Sequence, residues 1–237
     1  DSANAGIYFV EITNCPSSCV EIGVGATSSQ IAGCALDRCL RATSGAAAGA
    51  RIGPDNDVFL HRDMGIQAGA GLLIYSNHIH DNPGAGISAP SWSGIAILGN
   101  TIAGNGGDGI WLNQNTMTAW IAHNFVARNG GAGLTVGSST SGIDLRNNLF
   151  HSNTGAAVAA PAASFVAIDY NGHYANGRVC DGGCVFGLNT VTLDPLVVGS
   201  GPALMPASPL RNRGDPSVGY DVNGAEPGDY CESGPEI

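Results

Sequence analysis

The segment Ile97–Ile110, ILGNTIAGNGGDGI, decides the fold because its pattern recurs along the middle of the chain. Aligning copies on its first asparagine gives five repeats at steps of 23 or 24 residues, each with a second asparagine five residues later. The first set is Asn77, Asn100, Asn124, Asn148 and Asn171, and the second set is Asn82, Asn105, Asn129, Asn153 and Asn176. A fixed period of this length is typical of a solenoid, in which each repeat stacks on its neighbours.

Apolar residues alternate before each first asparagine, as in Ile95-x-Ile97 and Ile143-x-Leu145. This period of two indicates short strands with one buried face. We therefore predict an all-β fold: a single-stranded right-handed parallel β-helix of about seven to eight coils of 20–24 residues, with stacked asparagine ladders and an irregular C-terminal closing segment. A leucine-rich repeat, which has a similar period, would need a leucine consensus and a helical segment that this sequence lacks.

The composition excludes some classes of partner. The 237 residues carry a formal charge of −10, and all nine basic residues are arginines. A chain this acidic has no electrostatic footprint for nucleic acid or an anionic membrane. No apolar run approaches the roughly 18 residues that a membrane span requires.

The repeat weakens towards both ends. Cys34 and Cys39 stand where asparagines are expected, and residues 50–70 hold a coil whose register the pattern does not define. His173 falls where earlier coils have an aliphatic or aromatic residue, so we expect the core pattern to fail there and the regular solenoid to end near residue 176. This predicts a β-helix over residues 1–178 and a closing segment over residues 179–237 that packs on the last coils.

The seven cysteines suggest disulfides in an oxidising compartment. Close spacing favours local pairs at Cys15 and Cys19, Cys34 and Cys39, and Cys180 and Cys184, while a bond from Cys15 to Cys34 across coils stays open, and Cys231 is a candidate free thiol. The spacings do not fit a zinc knuckle.

Two segments, ILGNTIAGNGGDGI and Tyr75–Ile87 (YSNHIHDNPGAGI), resemble bacterial secreted parallel β-helix repeat proteins related to the pectate-lyase-like fold. The tail, with Asp194-Pro195-Leu196 and Gly214-Asp215, is similar to a C-terminal segment common in those proteins. The resemblance implies secretion, but the fold hosts lyases, hydrolases, epimerases, adhesins and fibres. Related lyases use a lysine or arginine base, of which only the lysine is excluded here, and the Asp-Asp pair of related hydrolases is absent. His78-Ile79-His80-Asp81 loosely resembles the Asp-Pro-His-Asp stretch of related uronan epimerases.

The register places one group of polar and aromatic side chains on a common outward face of three consecutive coils. We predict His123, Arg146 and Asp169 as candidate catalytic residues and Trp120, Asp144 and Tyr170 as candidate carbohydrate-binding residues. An aromatic platform with an arginine and carboxylates suits a sugar. The arginine could bind a uronate carboxylate, and the histidine or Asp169 could act as acid or base. A plain solvated face is the alternative interpretation.

A second group, His61, Asp63, His78, His80 and Asp81, is a weaker candidate for metal binding, because the register of His61 is undefined. We expect no metal or other cofactor; Ca²⁺ is compatible with the fold but no motif indicates it. Two functions follow. One is an extracellular, non-catalytic surface, adhesive or self-assembling component that contacts a polysaccharide or cell-surface partner and associates with itself through its coil ends. The other is a lyase or epimerase acting on acidic polysaccharide.

Overall fold

Three parallel β-sheets of eight strands each wind into a right-handed β-helix. The structure is a computed structural model that describes residues 6–23, 26–45, 49–90, 93–113, 117–138, 141–161 and 166–218. Each coil contributes three strands in chain order: the first belongs to sheet A, the second to sheet B and the third to sheet C. The predicted fold class is confirmed. Within the described ranges, no helix is long and apolar enough to cross a membrane.

The strands are short, with two to six residues each. The first four coils contain β1 Gly6–Tyr8, β2 Glu11–Thr13, β3 Ser18–Ile22, β4 Gln30–Ala32, β5 Ala35–Asp37, β6 Arg41–Gly45, β7 Arg51–Ile52, β8 Asp57–Phe59, β9 Ile66–Gln67, β10 Leu73–Tyr75, β11 His78–His80 and β12 Ile87–Ala89. The last four contain β13 Ile95–Leu98, β14 Thr101–Ala103, β15 Ile110–Leu112, β16 Met117–Ala122, β17 Phe125–Ala127, β18 Leu134–Val136, β19 Ser141–Arg146, β20 Leu149–His151, β21 Ala156–Ala160, β22 Val166–Asp169, β23 Gly172–Tyr174 and β24 Arg178–Gly182.

The repeat places like side chains on top of like. In sheet A, Ile97 pairs with Ile74 on one side and Ile121 on the other, and all three are fully buried. The same column continues to Leu145 and Ile168. Because successive side chains on a strand point to opposite faces, the alternation in sequence becomes one continuous aliphatic interior.

The asparagines form two hydrogen-bonded ladders at the corners before and after sheet B. Asn124 shows the pattern: its side-chain amide donates to the carbonyls of Ile97 and Ala122 and to Oδ1 of Asn148, at 2.8–3.0 Å. Its own Oδ1 accepts the backbone and side-chain N–H groups of Asn100 at 2.9 and 3.0 Å. Each ladder amide thus satisfies buried backbone groups that the turn would leave unpaired.

The residue before each ladder position has a left-handed backbone. In the first corner these include Ser76, His123 and Tyr170, with φ of 50°, 58° and 54°. In the second corner Arg128 has φ of 54°. Asparagine favours such turns because its side chain bonds the local backbone, and these bonds offset the strain of the residue before it.

The coil over residues 50–70, which the sequence pattern does not register, fits the same architecture with a shorter step. Gln30 pairs with Arg51 and Arg51 with Leu73, at steps of 21 and 22 residues. Asn56 extends the first ladder by donating to Asn77 Oδ1 at 2.8 Å. His61 occupies the second ladder column, where its backbone N–H donates to Asn82 Oδ1 at 3.1 Å.

The prediction that the core pattern fails at His173 is wrong. His173 pairs with Phe150 in register and is 2% exposed, and its ring stacks on Phe150 with centroids 5.5 Å apart. Phe186, from the segment after the last strand, contacts the imidazole edge-on. The flat ring therefore continues the interior column, and the parallel ladder runs on through β24.

The disulfides differ in part from the predicted local pairs. Cys180 bonds Cys184 as predicted, but Cys15 bonds Cys39 on the next coil. Cys15 and Cys39 lie in the second ladder column with Cα atoms 4.5 Å apart, whereas Cys34 lies in the first column and is buried as a free thiol. Cys19 is also free in the structure, and Cys231 lies outside the described residues.

The segment after β24 packs on the outside of the later coils. Leu204 and Leu210 are buried against Phe125, Ala127 and Leu149, which are outward residues of sheet B. The segment then reaches the first corner, where Val218 packs on a buried cluster beside sheet A. This segment decides which outward side chains of the solenoid remain open to ligands. The predicted division into residues 1–178 and 179–237 stays a prediction.

Candidate functional site

The outward face of sheet A carries an aromatic platform beside a shallow depression. Trp120 lies between Ala96 and Asp144 of the neighbouring strands, and it is 36% exposed. The depression beside it has a volume of about 420 Å³, and Gly94, Thr118 and Gly142 line it together with these three residues. Gly94 and Gly142 on the neighbouring coils have no side chain to fill the depression beside Trp120.

Asp144 and Arg146 alternate on the same strand and form an ion pair. Arg146 Nε donates to Asp144 Oδ1 at 2.7 Å, and Arg146 Nη1 donates to Asp215 Oδ2 at 2.6 Å. The carboxylate hydrogen bonds of Asp144 and then Asp215 raise the pKa of Arg146 above its ordinary value. This guanidinium is therefore shared between two carboxylates of the chain itself.

Asp215 fastens the C-terminal segment to this face. Burial opposes its ionisation, but hydrogen bonds from Ser217 and Arg146 together hold the pKa of Asp215 below its ordinary value. Its backbone N–H also donates to Asn147 Oδ1 at 2.7 Å, and Asn147 Nδ2 donates back to the Asp215 carbonyl at 3.2 Å. The Asp215 side chain is only 8% exposed, so this contact is a buried anchor.

His123 lies at the left-handed corner next to the same anchor. Its Nε2 is 3.0 Å from the carbonyl oxygen of Val218, to which it donates when that nitrogen is protonated. Burial lowers the pKa of His123, so the neutral imidazole is favoured. The Nε2 atom of His123 is therefore hydrogen-bonded to the C-terminal segment.

Asp169 also contacts the segment after the solenoid. Its carboxylate accepts the backbone N–H and the side-chain amide of Asn189 at 2.9 and 3.0 Å, and it accepts the N–H of Tyr170 at 2.9 Å. Asp169 pairs with Arg146 in register, one coil along. Tyr170 follows at the left-handed corner and is half-buried.

Of the six residues predicted from the register, Trp120, Asp144, Arg146 and Asp169 lie on neighbouring strands of sheet A, and His123 and Tyr170 lie at the first corner beside it. Trp120 and Asp144 border the open depression, while His123, Arg146 and Asp169 hydrogen-bond with the C-terminal segment. Sequence reasoning missed Asp215 and Asn189, because contacts between the solenoid and an irregular segment leave no periodic signal. The Gly214-Asp215 pair of the family-like tail was the available hint.

The second predicted group divides as well. His61 is buried in the ladder column, where burial lowers its pKa, and Asp63 pairs with Arg41 at 3.5 Å. His78, His80 and Asp81 lie together on the outward face of sheet B. Asp57, which the sequence pattern could not register, lies beside them across the ladder.

Comparisons with known proteins agree with this architecture. The family model described as right-handed beta helix region matches residues 1–171. No curated protein matches the sequence. The crystal structure of the periplasmic alginate epimerase AlgG is similar, with a TM-score of 0.56 at 15% identity over 81% of this chain and 51% of that chain. A double mutant of the same epimerase has a TM-score of 0.58 at 16% identity, with the same coverage.

A further solved structure, the enzymatically active domain of bacteriophage CBA120 tailspike protein 2, has a TM-score of 0.48 at 11% identity over 81% of this chain and 39% of that chain. The chain thus spans about half or less of the structures it resembles. Identities this low show a shared fold alone, whereas the family model covers most of the chain. The chain therefore belongs to the right-handed beta helix region family.

Proposed function

We propose that this protein is a non-catalytic, polysaccharide-binding β-helix that acts outside the cytoplasm. The observation that carries the proposal is the indole of Trp120, exposed on a regular strand beside an open depression of the outer face. An indole presents a large apolar face to the C–H face of a sugar ring, and fixing it on a strand lowers the entropy cost of stacking. Asp144 and Thr118 supply hydrogen-bonding groups at the edge.

Binding is favoured over catalysis because the candidate acid, base and carboxylate-binding groups already have partners within the chain. His123 contacts Val218, Asp169 accepts from Asn189, and Arg146 pairs with Asp144 and Asp215. A general acid or base must reach a proton of the substrate within hydrogen-bond distance. The roles of these three residues in our proposal are therefore to anchor the C-terminal segment beside the face.

The charge balance favours a neutral glycan over a uronan. Arg146 is balanced by two carboxylates, and Asp144 adds negative charge next to Trp120. The chain as a whole carries −10, which repels an acidic polymer at low ionic strength.

The proposed extracellular location rests on the two disulfides, since such bonds persist mainly in oxidising compartments. AlgG is described as periplasmic, which is consistent with export of this fold but is a property of that protein.

Binding is tested by titrating neutral and acidic polysaccharides while recording tryptophan fluorescence and affinity electrophoresis. We expect neutral glycans to bind and Trp120→Ala to weaken their binding by about fivefold or more, since one stacked aromatic contributes about 1 kcal/mol beyond its burial. Trp111→Ala is the matched control, because Trp111 is a partly exposed tryptophan on sheet C. Equal affinity of Trp120→Ala and wild type, or no binding to any glycan, would refute the proposal.

The catalytic alternative is tested with the same polysaccharides. Absorbance of unsaturated uronate ends reports β-elimination, and proton NMR reports epimerisation of alginate. We expect no turnover; turnover that Arg146→Ala abolishes would replace the binding proposal by an enzyme acting on acidic polysaccharide.

A further inference from the structure

Three metal-ligating side chains converge on the outward face of sheet B, away from the Trp120 face. His78 and His80 alternate on β11, so both project outward from the same strand. Asp57 on β8 lies directly beside His78 across the ladder. This convergence depends on the stacking of two coils, and the sequence pattern could not reveal it because the coil containing Asp57 has no clear register.

The distances among the three groups match the edges of a metal coordination shell. Asp57 Oδ1 is 2.9 Å from His80 Nε2 and 3.3 Å from His78 Nδ1. The carboxylate oxygen and the two ring nitrogens all lie within 4.8 Å of one another. Ligands about 2.0–2.2 Å from a common ion are separated by about 3 Å, so an ion fits between these atoms after small side-chain movements.

An outer carboxylate orients one of the histidines. His80 Nδ1 lies 2.8 Å from Asp81 Oδ2, on the side of the ring opposite to Asp57. A carboxylate that accepts the second ring N–H of a histidine fixes the tautomer in which the other nitrogen can bind metal. The His80 ring also stacks on Phe59 at a centroid distance of 5.3 Å and on His78 at 4.1 Å. Neighbouring rings therefore hold the imidazole in place.

The site is open to solvent on one side. His78 and Asp57 are about half exposed, with side-chain exposures of 53% and 49%. They border a depression of about 330 Å³ that continues to Gly99 and Thr101 of the next coil. Further along sheet B, the C-terminal segment covers the outward residues Phe125, Ala127 and Leu149. The part of sheet B that carries Asp57 and His78 is open to the depression.

We propose that Asp57, His78 and His80 bind a divalent first-row transition metal ion, zinc foremost, with Asp81 as the orienting carboxylate and with open coordination positions facing the depression. Two imidazoles favour such ions over Ca²⁺ and Mg²⁺, which prefer oxygen ligands. Two histidines and one carboxylate leave room for water or a ligand oxygen on the metal. This proposal is independent of glycan binding at Trp120.

The test is titration of the full chain, without a polyhistidine tag, with Co²⁺ and then Zn²⁺. We expect Co²⁺ to give a visible d–d spectrum that one equivalent of Zn²⁺ abolishes, with Zn²⁺ also raising Tm. His80→Gln and Asp57→Asn should each weaken Zn²⁺ at least about 100-fold in competition with a chromophoric chelator, and Asp81→Asn about 10-fold. His151→Gln, on the same sheet three coils later, should bind like wild type.

Thermal unfolding in EDTA shows whether each variant is folded. If His80→Gln fails to fold, the Asp57→Asn variant decides whether the site binds zinc, because it alters only a half-exposed carboxylate. The proposal is overturned if no cobalt spectrum develops at millimolar metal, or if folded variants of the three ligands bind Zn²⁺ as wild type does. A thiolate-to-cobalt charge-transfer band would place the ion at a free thiol such as Cys19, which lies beside the Cys15–Cys39 disulfide, and would equally overturn it.

Discussion

His173 should make the stability of the solenoid depend on pH, and the structure gives the sign and size of the effect. The imidazole is 2% exposed, and neither ring nitrogen has a hydrogen-bond partner in the structure. Burial lowers the pKa of His173 from its ordinary value of 6.5 to about 4. At a pH between these two pKa values, the unfolded chain therefore binds a proton at this residue and the folded chain does not.

The stabilising contribution is complete above the unfolded pKa and is lost as pH falls towards the folded pKa. Between about pH 7 and about pH 5, the loss from His173 alone is about 2 kcal/mol in the free energy of unfolding. Burial also lowers the pKa of His61 and His123, so the wild-type curve should fall more steeply than this single term. A variant is needed to isolate His173.

The variant is His173→Phe, which keeps a flat ring against Phe150 and Phe186 and removes the titration. Urea unfolding across this pH range should show that the variant loses about 2 kcal/mol less than wild type on acidification. Phe150→Leu, in the same interior column, should shift stability by an amount that does not vary with pH. Parallel pH curves for wild type and His173→Phe would refute the assignment of a buried, neutral imidazole.

Two further perturbations test the ladder and the anchor. Asn124→Leu should lower the free energy of unfolding by about 2–4 kcal/mol, because the buried N–H of Asn100 loses its acceptor and the Ile97 carbonyl loses a donor. Urea unfolding measures this change, and a loss below about 1 kcal/mol would contradict the stabilising role of the ladder. Arg146→Ala should lower the free energy of unfolding by about 1–3 kcal/mol and speed proteolysis of residues 211–218, because the buried carboxylate of Asp215 loses its ion pair. Arg178→Ala is the control and should change little, because its ion pair with Asp181 is exposed.

The ladder columns were predictable because they recur. Ile97, Asn100 and Asn105 each have counterparts in the neighbouring repeats at a step of 23 or 24 residues. The alternation of apolar residues before the first asparagine of each repeat specifies which side chains enter the core. Outward faces follow from the same register, and for this reason Trp120 and Asp144 could be placed side by side before the structure was known.

Features that occur once were not predictable. The partners of His123 and Asp169 come from an irregular segment 20 to 95 residues away, with no period to locate it. The position of Asp57 was hidden because its coil is shorter and has a histidine in the second ladder column. His173 was misjudged because a polar residue type was taken to break the apolar core pattern, although its flat ring stacks on Phe150 in the interior column. Self-association through the coil ends stays a prediction.

The left-handed corners have a consequence for how such a protein can change. Phe9, Arg128 and Tyr170 all occupy these corners, with φ near 54°, although they share neither size nor charge. The neighbouring ladder column secures the turn, so residues of different size fit at the exposed corners, whereas Asn147 and His123 are held by contacts with the C-terminal segment. The exposed corners thus accept different side chains that can follow one another at the coil spacing of about 4.8 Å. The surface of such a solenoid can therefore change at these exposed corners without any change to its interior columns.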